Sequence, residues 1–381
     1  MIAKEIISRQ VVALRKVPVD YVKPGMYLAR SIVDSEGMIL LRAGVELDEV
    51  YLGRLRSLGI RNIYVRDEEF GDTEEVEDVI SEETRINTVR TVKKTFSQLQ
   101  NQRNINITAL RQTVNNLLDE ILDNANVLIS ISTISTLDDY VFFHAVSVCT
   151  LSMLAGITLG YNESALRDLG VGALLHDIGK AEIEPEILKR EGALSEEEAA
   201  VLASHTEKGY QILRRYVDIP LLSAHVAFQH HERWDGKGYP RRLSGTNITE
   251  YARVVAVANF YDNLVTDFPS RPGYEVNQAV TLIKRLAGIF FDPRIASVVV
   301  SHIASYPVGS LVLLNTGDIG IVVKVNADAP HRPRVRLLFD RYLRRPEKQH
   351  EVDLNELKTI FIEQVLSEAE LDRRLGTLRN R

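Results

Sequence analysis

Short apolar runs separated by turn residues characterise residues 17–66. VPVDYVKPGMYLARSIVDSEGMILLRAGVEL is interrupted by Pro24-Gly25, Gly37 and Gly44, a pattern typical of short strands joined by turns. DEVYLGRLRSLGI then predicts a helix, because its apolar residues recur near one face. These residues are Val50, Leu52, Leu55 and Leu58. With NIYV as a returning strand, residues 1–66 are predicted to form a small N-terminal α+β domain.

Residues 67–136 combine an acidic run with a helical pattern. DEEFGDTEEVEDVISEE, residues 67–83, is most simply a solvated linker. From Thr84 to Ile129 apolar residues recur at helical spacing, which predicts an amphipathic helix. They are Ile86, Val89, Val92, Phe96, Leu99, Leu110, Val114, Leu117, Leu118 and Ile121. The pattern leaves open whether this helix packs on the next domain or on a second copy of itself.

The pattern changes twice more along the chain. Residues 137–306 read as predominantly helical, whereas residues 307–381 contain alternating apolar and polar positions around an Asn-Thr-Gly-Asp turn. The alternation in GSLVLLNTGDIGIVVKV predicts a hairpin in a small C-terminal β unit, which ends in a helix. We therefore expect a mainly α protein: a helical bundle with a small α+β unit before it and a small β unit after it.

Arginines are concentrated near the predicted hairpin. They are Arg332, Arg334, Arg336, Arg341, Arg344 and Arg345. This density invites a nucleic-acid interpretation, but neither an aromatic stacking platform nor zinc-binding spacing accompanies it, and a solvated sheet face is favoured. No nucleic acid polymer is expected as a partner.

Composition and charge exclude several classes of protein. The 381 residues are 45% hydrophobic and 26% charged, with a net charge of −6, which argues against wholesale disorder and gives no global reason to expect a polyanion partner. The N-terminal MIAKEIISRQVVALRK lacks the apolar core of a secretory signal. The least polar stretch, from His144 to Gly160, is shorter than a membrane span usually requires. We therefore expect a cytoplasmic protein without a membrane span.

Cysteine and histidine narrow the candidate chemistry. A single cysteine, Cys149, excludes a disulfide framework within the chain and a zinc site built from several thiolates. Histidine is clustered instead, since six of the nine lie between His144 and His231. A lone histidine is more often a packed or surface residue than a ligand, and His225 is interpreted in that way. The other five invite a different explanation.

Three motifs carry four of those five histidines, and the fifth, His144, lies upstream on a predicted helix. HDIGK at 176–180 offers an imidazole nitrogen and a carboxylate together, a pair suited to divalent first-row metals. His205 opens HTEKGYQIL, and His230 and His231 begin HHERWDGKGYP. Neighbouring residues on a helix point about 100° apart, so the last two can bind two different metals, or one metal and one phosphate.

This combination resembles the HD-GYP family, a branch of the HD metal-dependent phosphohydrolases. The resemblance covers about 137–306 and is carried by HDIGK, His205 and HHERWDGKGYP. It implies a helical HD-type metallohydrolase bundle that hydrolyses the bacterial second messenger cyclic di-GMP to pGpG, and in some members on to GMP. The flanking units look like regions that accompany such domains.

The resemblance also implies the site residues. The metal-ligand positions fall on His144, His176, Asp177, His205, His230 and His231. Asp177 would bridge two metals, iron or manganese, and Lys180 would hold or neutralise the scissile phosphate. The metals would lower the pKa of a bridging water toward about 7, so that a metal-bridging hydroxide attacks the phosphorus. The loop residues Gly236, Gly238, Tyr239 and Pro240 would approach the substrate.

Two departures from the family pattern concern metal binding. Asn259 stands where the family supplies a ligand aspartate, and its neutral carbonyl oxygen should bind a cation less strongly than a carboxylate. Asn259 is kept as a weaker ligand, with a bond to helix termini as the alternative. Tyr140 stands where members with three metals carry a glutamate, so two metals are expected rather than three.

A third departure concerns the nucleotide phosphates. The string that supplies a phosphate-binding arginine in the family is altered, and Arg253 and Arg271 are the candidate substitutes.

The leading hypothesis is an active cyclic di-GMP phosphodiesterase. The alternative, motivated by Asn259 and the altered segment, is a catalytically weak protein that binds cyclic di-GMP as a sensor or interaction module. A hydrolase of other nucleotides is the third. Homodimerisation and protein partners in cyclic di-GMP signalling are left open by the sequence.

Overall fold

The computed structural model describes residues 12–73, 78–102, 104–129, 139–188, 190, 192–268 and 271–379. The chain divides into two compact units. The first combines Met1–Ile32, Leu41–Glu77 and Tyr306–Arg381, and the second combines Val33–Leu40 with Asp78–Ser305. The sequence treats the N- and C-terminal segments as separate units, and it places residues 33–40 with the former. The predicted boundary at residues 136 and 137 lies outside the described residues.

The N-terminal part of the first unit is a small antiparallel sheet with one helix. Its strands are β1 (Val12–Pro18), β2 (Tyr27–Leu28) and β5 (Asn62–Asp72). The strands β3 (Ile32–Val33) and β4 (Ile39–Leu41) form a separate pair that includes residues of the second unit. The order is β1-β5-β2, and β3 pairs with β4. Helix α1 (Glu49–Ser57) begins after Asp48, whose carboxylate accepts a hydrogen bond from the Tyr51 amide at 2.8 Å. The predicted strands and helix are confirmed.

Two predictions from the sequence pattern are wrong in this region, one about the acidic run and one about the apolar face of α1. Strand β5 continues to Asp72, so residues 67–72 belong to a sheet and not to a solvated linker. The tertiary structure stabilises this acidic strand, because Asp67 pairs with Arg15 and Phe70 is buried. On α1, Val50 is 78% exposed while Leu52 and Leu55 are buried, since Val50 lies about 200° around the helix from Leu52.

The C-terminal part is a five-stranded antiparallel sheet with the order β10-β6-β7-β8-β9. Its elements are β6 (Leu311–Leu314), β7 (Ile319–Lys324), β8 (Arg334–Phe339), β9 (His350–Asp353), β10 (Ile362–Val365) and α13 (Glu368–Arg379). The predicted hairpin is β6–β7, where Gly317 adopts a φ of +87°. Phe70 and Leu371 pack in one core with this sheet, so segments before and after the second unit in the sequence contribute to the first unit.

The second unit is helical. Its helices are α2 (Glu82–Gln102), α3 (Ile107–Asp123), α4 (Tyr140–Thr158), α5 (Glu163–Leu174), α6 (Pro185–Leu188), α7 (Glu196–Ala203), α8 (His205–Leu213), α9 (Leu221–Gln229), α10 (Glu250–Val265), α11 (Val276–Leu286) and α12 (Pro293–Ser301). The expected mainly α fold is confirmed.

The amphipathic helix predicted from Thr84 is two helices, α2 and α3. The second begins after Asn106, whose side chain accepts a hydrogen bond from the Ala109 amide at 3.0 Å. The predicted apolar residues are buried in the core of the second unit, apart from the partly buried Ile86. These helices therefore pack on the helical domain that follows them, one of the two arrangements that the pattern allowed.

Helix α4 lies at the centre of this core. It is 19 residues long with a mean hydropathy of 1.8, so by length and composition it passes the test for a membrane span. However, 72% of its apolar window is buried among the other helices, and one such helix is weak evidence for a span. Cys149 lies on α4, fully buried, and burial raises the pKa of its thiol.

Candidate metal centre

Six of the predicted ligand residues converge in the second unit. Two groups of side chains bring their ligand atoms within 4.8 Å of one another, and both groups include Asp177. The first is His144, His176 and Asp177, and the second is Asp177, His205, His230 and His231. A carboxylate with one oxygen for each of two cations suits this shared position. The geometry agrees with the predicted bridging role of Asp177, which stays a prediction.

The ligand residues sit at helix ends and on one helix face. His144 is on α4, the pair His176-Asp177 follows α5, His205 begins α8, and His230-His231 follow α9. Gly179 allows the HDIGK loop to approach α8 closely. A Cβ atom at this position would lie 1.9 Å from the His205 carbonyl oxygen and 2.6 Å from the Gly209 amide nitrogen. The glycine therefore brings Asp177 to His205.

Hydrogen bonds orient four of the imidazoles. Nδ1 of His144 donates to the Asp262 carboxylate at 2.6 Å, and Nδ1 of His176 donates to the Ala173 carbonyl at 2.8 Å. Nδ1 of His205 donates to the Leu202 carbonyl at 2.5 Å. Nδ1 of His230 donates to two carbonyls of α9, each at 3.1 Å. Because Nδ1 carries the proton in each ring, Nε2 keeps its lone pair for a metal.

The atoms that face the centre lack ordinary partners. Nε2 of His144, Nε2 of His176 and Oδ1 of Asp177 are buried without a hydrogen bond among the described residues. Nε2 of His205 lies 3.3 Å from Oδ1 of Asp177 and 3.4 Å from Nε2 of His230. These are contacts between lone pairs, which cost free energy unless a cation lies among them. The donor set therefore fits divalent metals.

Electrostatics prepare the same groups for binding. Burial alone would raise the pKa of Asp177, but the Lys180 ammonium and His176 hold it well below its usual range. Nζ of Lys180 donates to Oδ2 of Asp177 at 2.5 Å. Burial lowers the pKa of His230 to about 3, and burial with the neighbouring histidines lowers that of His231. Metals need the carboxylate charged and the imidazoles neutral, and the environment favours both states.

The glycine loop lies at the edge of the centre. The Tyr239 ring stacks on His231, with 4.7 Å between ring centroids, and Tyr239 is 36% exposed. At Gly238 a Cβ atom would lie 2.4 Å from the Arg233 amide nitrogen, so a side chain there would open the loop. Gly236 adopts a φ of +76°, which favours glycine. The loop residues, Pro240 included, stay predicted substrate contacts.

Three side chains around the centre were missed or assigned no role from the sequence. Asp262 lies one turn after Asn259 on α10 and binds His144. The carboxylate of Glu232 is buried and accepts hydrogen bonds from the Arg241 and Leu243 amides at 2.7 and 2.9 Å, which holds the loop. The sequence feature that could have identified Glu232 is its position directly after the histidine pair. Tyr140, considered only as a missing glutamate, places its hydroxyl 3.1 Å from Nδ1 of His144.

The structure engages Asn259 with its own helix. Oδ1 of Asn259 accepts a hydrogen bond from Nδ2 of Asn263 at 2.6 Å. The partner is a side chain of α10 and not a group at a helix terminus, so the contact differs from the alternative that the sequence offers. The predicted role of Asn259 as a weaker ligand stays a prediction.

The two candidate phosphate-binding arginines differ in their contacts. Arg253 pairs with Asp292 and donates to the Ile248 carbonyl at 3.1 Å, so its guanidinium holds helix ends together. Nη2 of Arg271 donates to the Asn263 carbonyl at 2.6 Å, and its Nη1 is buried without a hydrogen bond in the part of the chain that the structure describes. Of the two, Arg271 keeps a donor for a further acceptor.

Comparison with known proteins agrees with this geometry. Residues 117–295 match the family model described as HD domain, and residues 311–374 match that of the KOW domain associated with HD domain. The C-terminal sheet is therefore a KOW domain.

Three curated relatives illustrate the similarity. Cyclic di-GMP phosphodiesterase PA4108 of Pseudomonas aeruginosa is 34% identical over 242 residues, which cover 62% of this chain and 58% of the relative. Cyclic di-GMP phosphodiesterase response regulator RpfG of Xanthomonas campestris is 36% identical over 38% of this chain and 39% of its own length. 3'3'-cGAMP-specific phosphodiesterase 2 of Vibrio cholerae is 33% identical over 38% of this chain and 28% of its own length.

The chain thus spans 58% or less of the length of these relatives. The HD-domain match covers the helices that carry the histidines, and the relatives named as cyclic di-GMP phosphodiesterases align with the same chain. Residues 117–295 of this chain therefore form an HD domain, in agreement with the HD-GYP resemblance of the sequence.

Proposed function

We propose that this protein is a metal-dependent phosphodiesterase that hydrolyses cyclic di-GMP to pGpG. The observation that carries the proposal is the pair of ligand groups that share Asp177. The relatives named as cyclic di-GMP phosphodiesterases support the substrate. Further cleavage of pGpG to GMP requires the same hydrolysis of a phosphodiester, on a linear instead of a cyclic dinucleotide.

Two metals would be held by the two groups, and iron or manganese suits their imidazole and carboxylate donors. When bound, the metals supply Lewis acidity toward the phosphate and toward the attacking water. Asp177 stays ionised, because the Lys180 ammonium stabilises its carboxylate. The Nδ1 hydrogen bonds keep the imidazoles in the ligating tautomer, so little reorganisation is needed at the centre.

The chain's other residues orient the substrate. Lys180 is about one-fifth exposed beside Asp177, so its ammonium can offset charge that develops on the scissile phosphate. Tyr239 stacks on His231 and still exposes part of its ring, which offers an apolar surface to a guanine. The buried carboxylate of Glu232 fixes the loop that presents Tyr239.

The test uses the full chain, loaded with Fe(II) or Mn(II) under reducing conditions. It is incubated with cyclic di-GMP and, separately, with 3'3'-cGAMP, and the products are separated by chromatography. We expect cyclic di-GMP to be converted to pGpG or GMP. Asp177→Ala should abolish turnover, because it removes the ligand that both groups share. The exposed Asp218 supplies a matched control, Asp218→Asn, which should keep full activity.

A second function, a cyclic di-GMP sensor with weak catalysis, is favoured by one contact. The position where the family supplies a ligand aspartate holds the amide Asn259. Its oxygen accepts a hydrogen bond from Asn263, so it is already engaged. Saturable binding of cyclic di-GMP without turnover, for both metals, would support this function and reject the enzyme. Faster turnover of 3'3'-cGAMP would instead assign the chain to the substrate of its Vibrio relative.

A further inference from the structure

Residues 33–40, called the arm below, belong to the second unit although the chain on both sides belongs to the first. The arm contains a tight turn. Oδ1 of Asp34 accepts hydrogen bonds from the Glu36 and Met38 amides at 2.9 and 2.8 Å, and Gly37 adopts a φ of +72°. The turn is thus shaped by its own residues before it meets the helices.

Ser35 is the buried contact of the arm. Its side chain and amide are fully enclosed, and both donate hydrogen bonds to the Asp139 carboxylate, the amide at 3.1 Å. The Lys93 ammonium donates to the Ser35 hydroxyl at 2.6 Å and pairs with Glu36 at 2.8 Å. Burial alone would lower the pKa of Lys93, but Glu36 and Asp139 raise it, so the ammonium stays charged.

Close packing attaches the arm to α2 a second time. A Cβ atom at Gly37 would lie 2.4 Å from Ile86 and 2.5 Å from the Arg90 guanidinium, and Arg90 also donates to the Glu36 carbonyl. A side chain at this position would push the turn away from the helix. The arm is therefore held by buried polar contacts and by steric fit.

Asp139 connects the arm to the metal centre. It immediately precedes α4, yet its carboxylate forms no cap on its own helix, although aspartate commonly does so at this position. The carboxylate binds Ser35 instead, while the Asp139 carbonyl accepts the Phe142 amide at 3.1 Å. The next residue, Tyr140, donates to Asn263 at 3.0 Å and lies 3.1 Å from Nδ1 of His144.

We propose that Ser35 is a positioning residue for the metal centre: by holding Asp139 it fixes the first turn of α4, and with it Tyr140 and His144. This role rests on the metal centre proposed above. It predicts that loss of Ser35 weakens metal binding by His144, His176 and Asp177. The second group, on α8 and α9, should keep its affinity because the contacts of the arm described above lie at Asp139 and on α2.

The test is titration of the full chain with Mn(II), followed by calorimetry, for Ser35→Ala and for Ser301→Ala. Ser301 is exposed, lies in the same unit and donates only to a carbonyl of its own helix, which makes it a matched control. His144→Ala identifies which of the two binding steps belongs to the first group. Gly37→Ala keeps the Ser35 hydroxyl but displaces the arm, and so moves Ser35 away from Asp139. Thermal unfolding of each variant reports whether the fold is retained.

We expect Ser35→Ala and Gly37→Ala to weaken the His144 step by about tenfold, the lower end for residues that support a metal ligand, and to leave the other step unchanged. Ser301→Ala should match the wild type at both steps. Unchanged affinities in a folded Ser35→Ala would reject the role of Ser35 and leave the proposed function intact. Equal weakening of both steps would also reject it. A wild type that binds no Mn(II) or Fe(II) would reject the metal centre itself.

Discussion

The histidine cluster of the second unit and the arginine cluster of the C-terminal sheet each concentrate one residue type, but their polar atoms differ. At the metal centre, Nε2 of His144, Nε2 of His176 and Oδ1 of Asp177 are buried without a hydrogen bond among the described residues. On the sheet, by contrast, Arg332 donates to the carbonyls of Leu354, Leu357, Lys358 and Ile360. Buried polar atoms without a hydrogen bond are available to bind a cation. The hydrogen-bonded guanidinium of Arg332 instead stabilises the fold.

The arginine cluster also corrects an expectation. A solvated sheet face is predicted, and Arg341, Arg344 and Arg345 are indeed exposed. Arg336 departs from this prediction, because it is buried, where it pairs with Glu351 at 2.7 Å and donates to the Phe70 carbonyl at 3.2 Å. Arg334 pairs with Asp353 at 3.4 Å. The absence of a nucleic acid partner stays a prediction. If the comparison is correct, substitutions in the first cluster should change metal binding and turnover, and those in the second should change stability alone.

The largest effect is expected for Gly179→Ala. The new Cβ atom would lie 1.9 Å from the His205 carbonyl, so the HDIGK loop must move away from α8. A displacement of about 1 Å at a catalytic centre can cost on the order of 100-fold in rate, and we expect at least this loss of turnover of cyclic di-GMP. The control is Gly53→Ala on α1, where no atom lies within 4 Å, and helix propensity should make it neutral or stabilising. Full activity in Gly179→Ala would contradict the geometry of the centre.

A smaller effect is expected for Asp262→Asn. An amide can donate to Nδ1 of His144, which would move the ring proton to Nε2 and oppose metal binding. Supporting residues of this kind are typically worth about 10–100-fold in metal affinity, and we expect a loss in this range with the fold retained. Mn(II) titration and circular dichroism measure the two quantities. The exposed Asp119 provides the control Asp119→Asn, and equal affinities in both variants would show that His144 needs no such partner.

The smallest effect on function is expected for Arg332→Ala. Its guanidinium bonds four carbonyls, so its removal should lower the free energy of unfolding by about 1–3 kcal/mol. Turnover and metal content of the folded protein should not change. Urea unfolding followed by fluorescence checks the first expectation, and Arg341→Ala, on an exposed loop, is the control. Reduced metal content in Arg332→Ala would remove the distinction between the two clusters.

The sequence predicted the parts of the molecule that local pattern determines. The helical spacing of residues such as Val89 and Leu117 identified the buried faces of α2 and α3, and the Asn-Thr-Gly-Asp turn identified the β6–β7 hairpin. The break between α2 and α3 was not predicted, because the apolar spacing continues across it while the cap at Asn106 is a single polar residue. The length of β5 was missed because its acids are stabilised by distant partners, Arg15 among them.

For the metal centre, the motifs alone determined which side chains are candidates, since HDIGK and HHERWDGKGYP place histidines and a carboxylate at recognisable positions. Only the tertiary structure decided how they are grouped, that Asp177 belongs to both groups, and that Asp262, Tyr140 and the arm around Ser35 support His144. The physical reason is distance along the chain. Ser35 and Asp139 are separated by 104 residues and His144 and Asp262 by 118, and periodicity or spacing describes only neighbours in sequence.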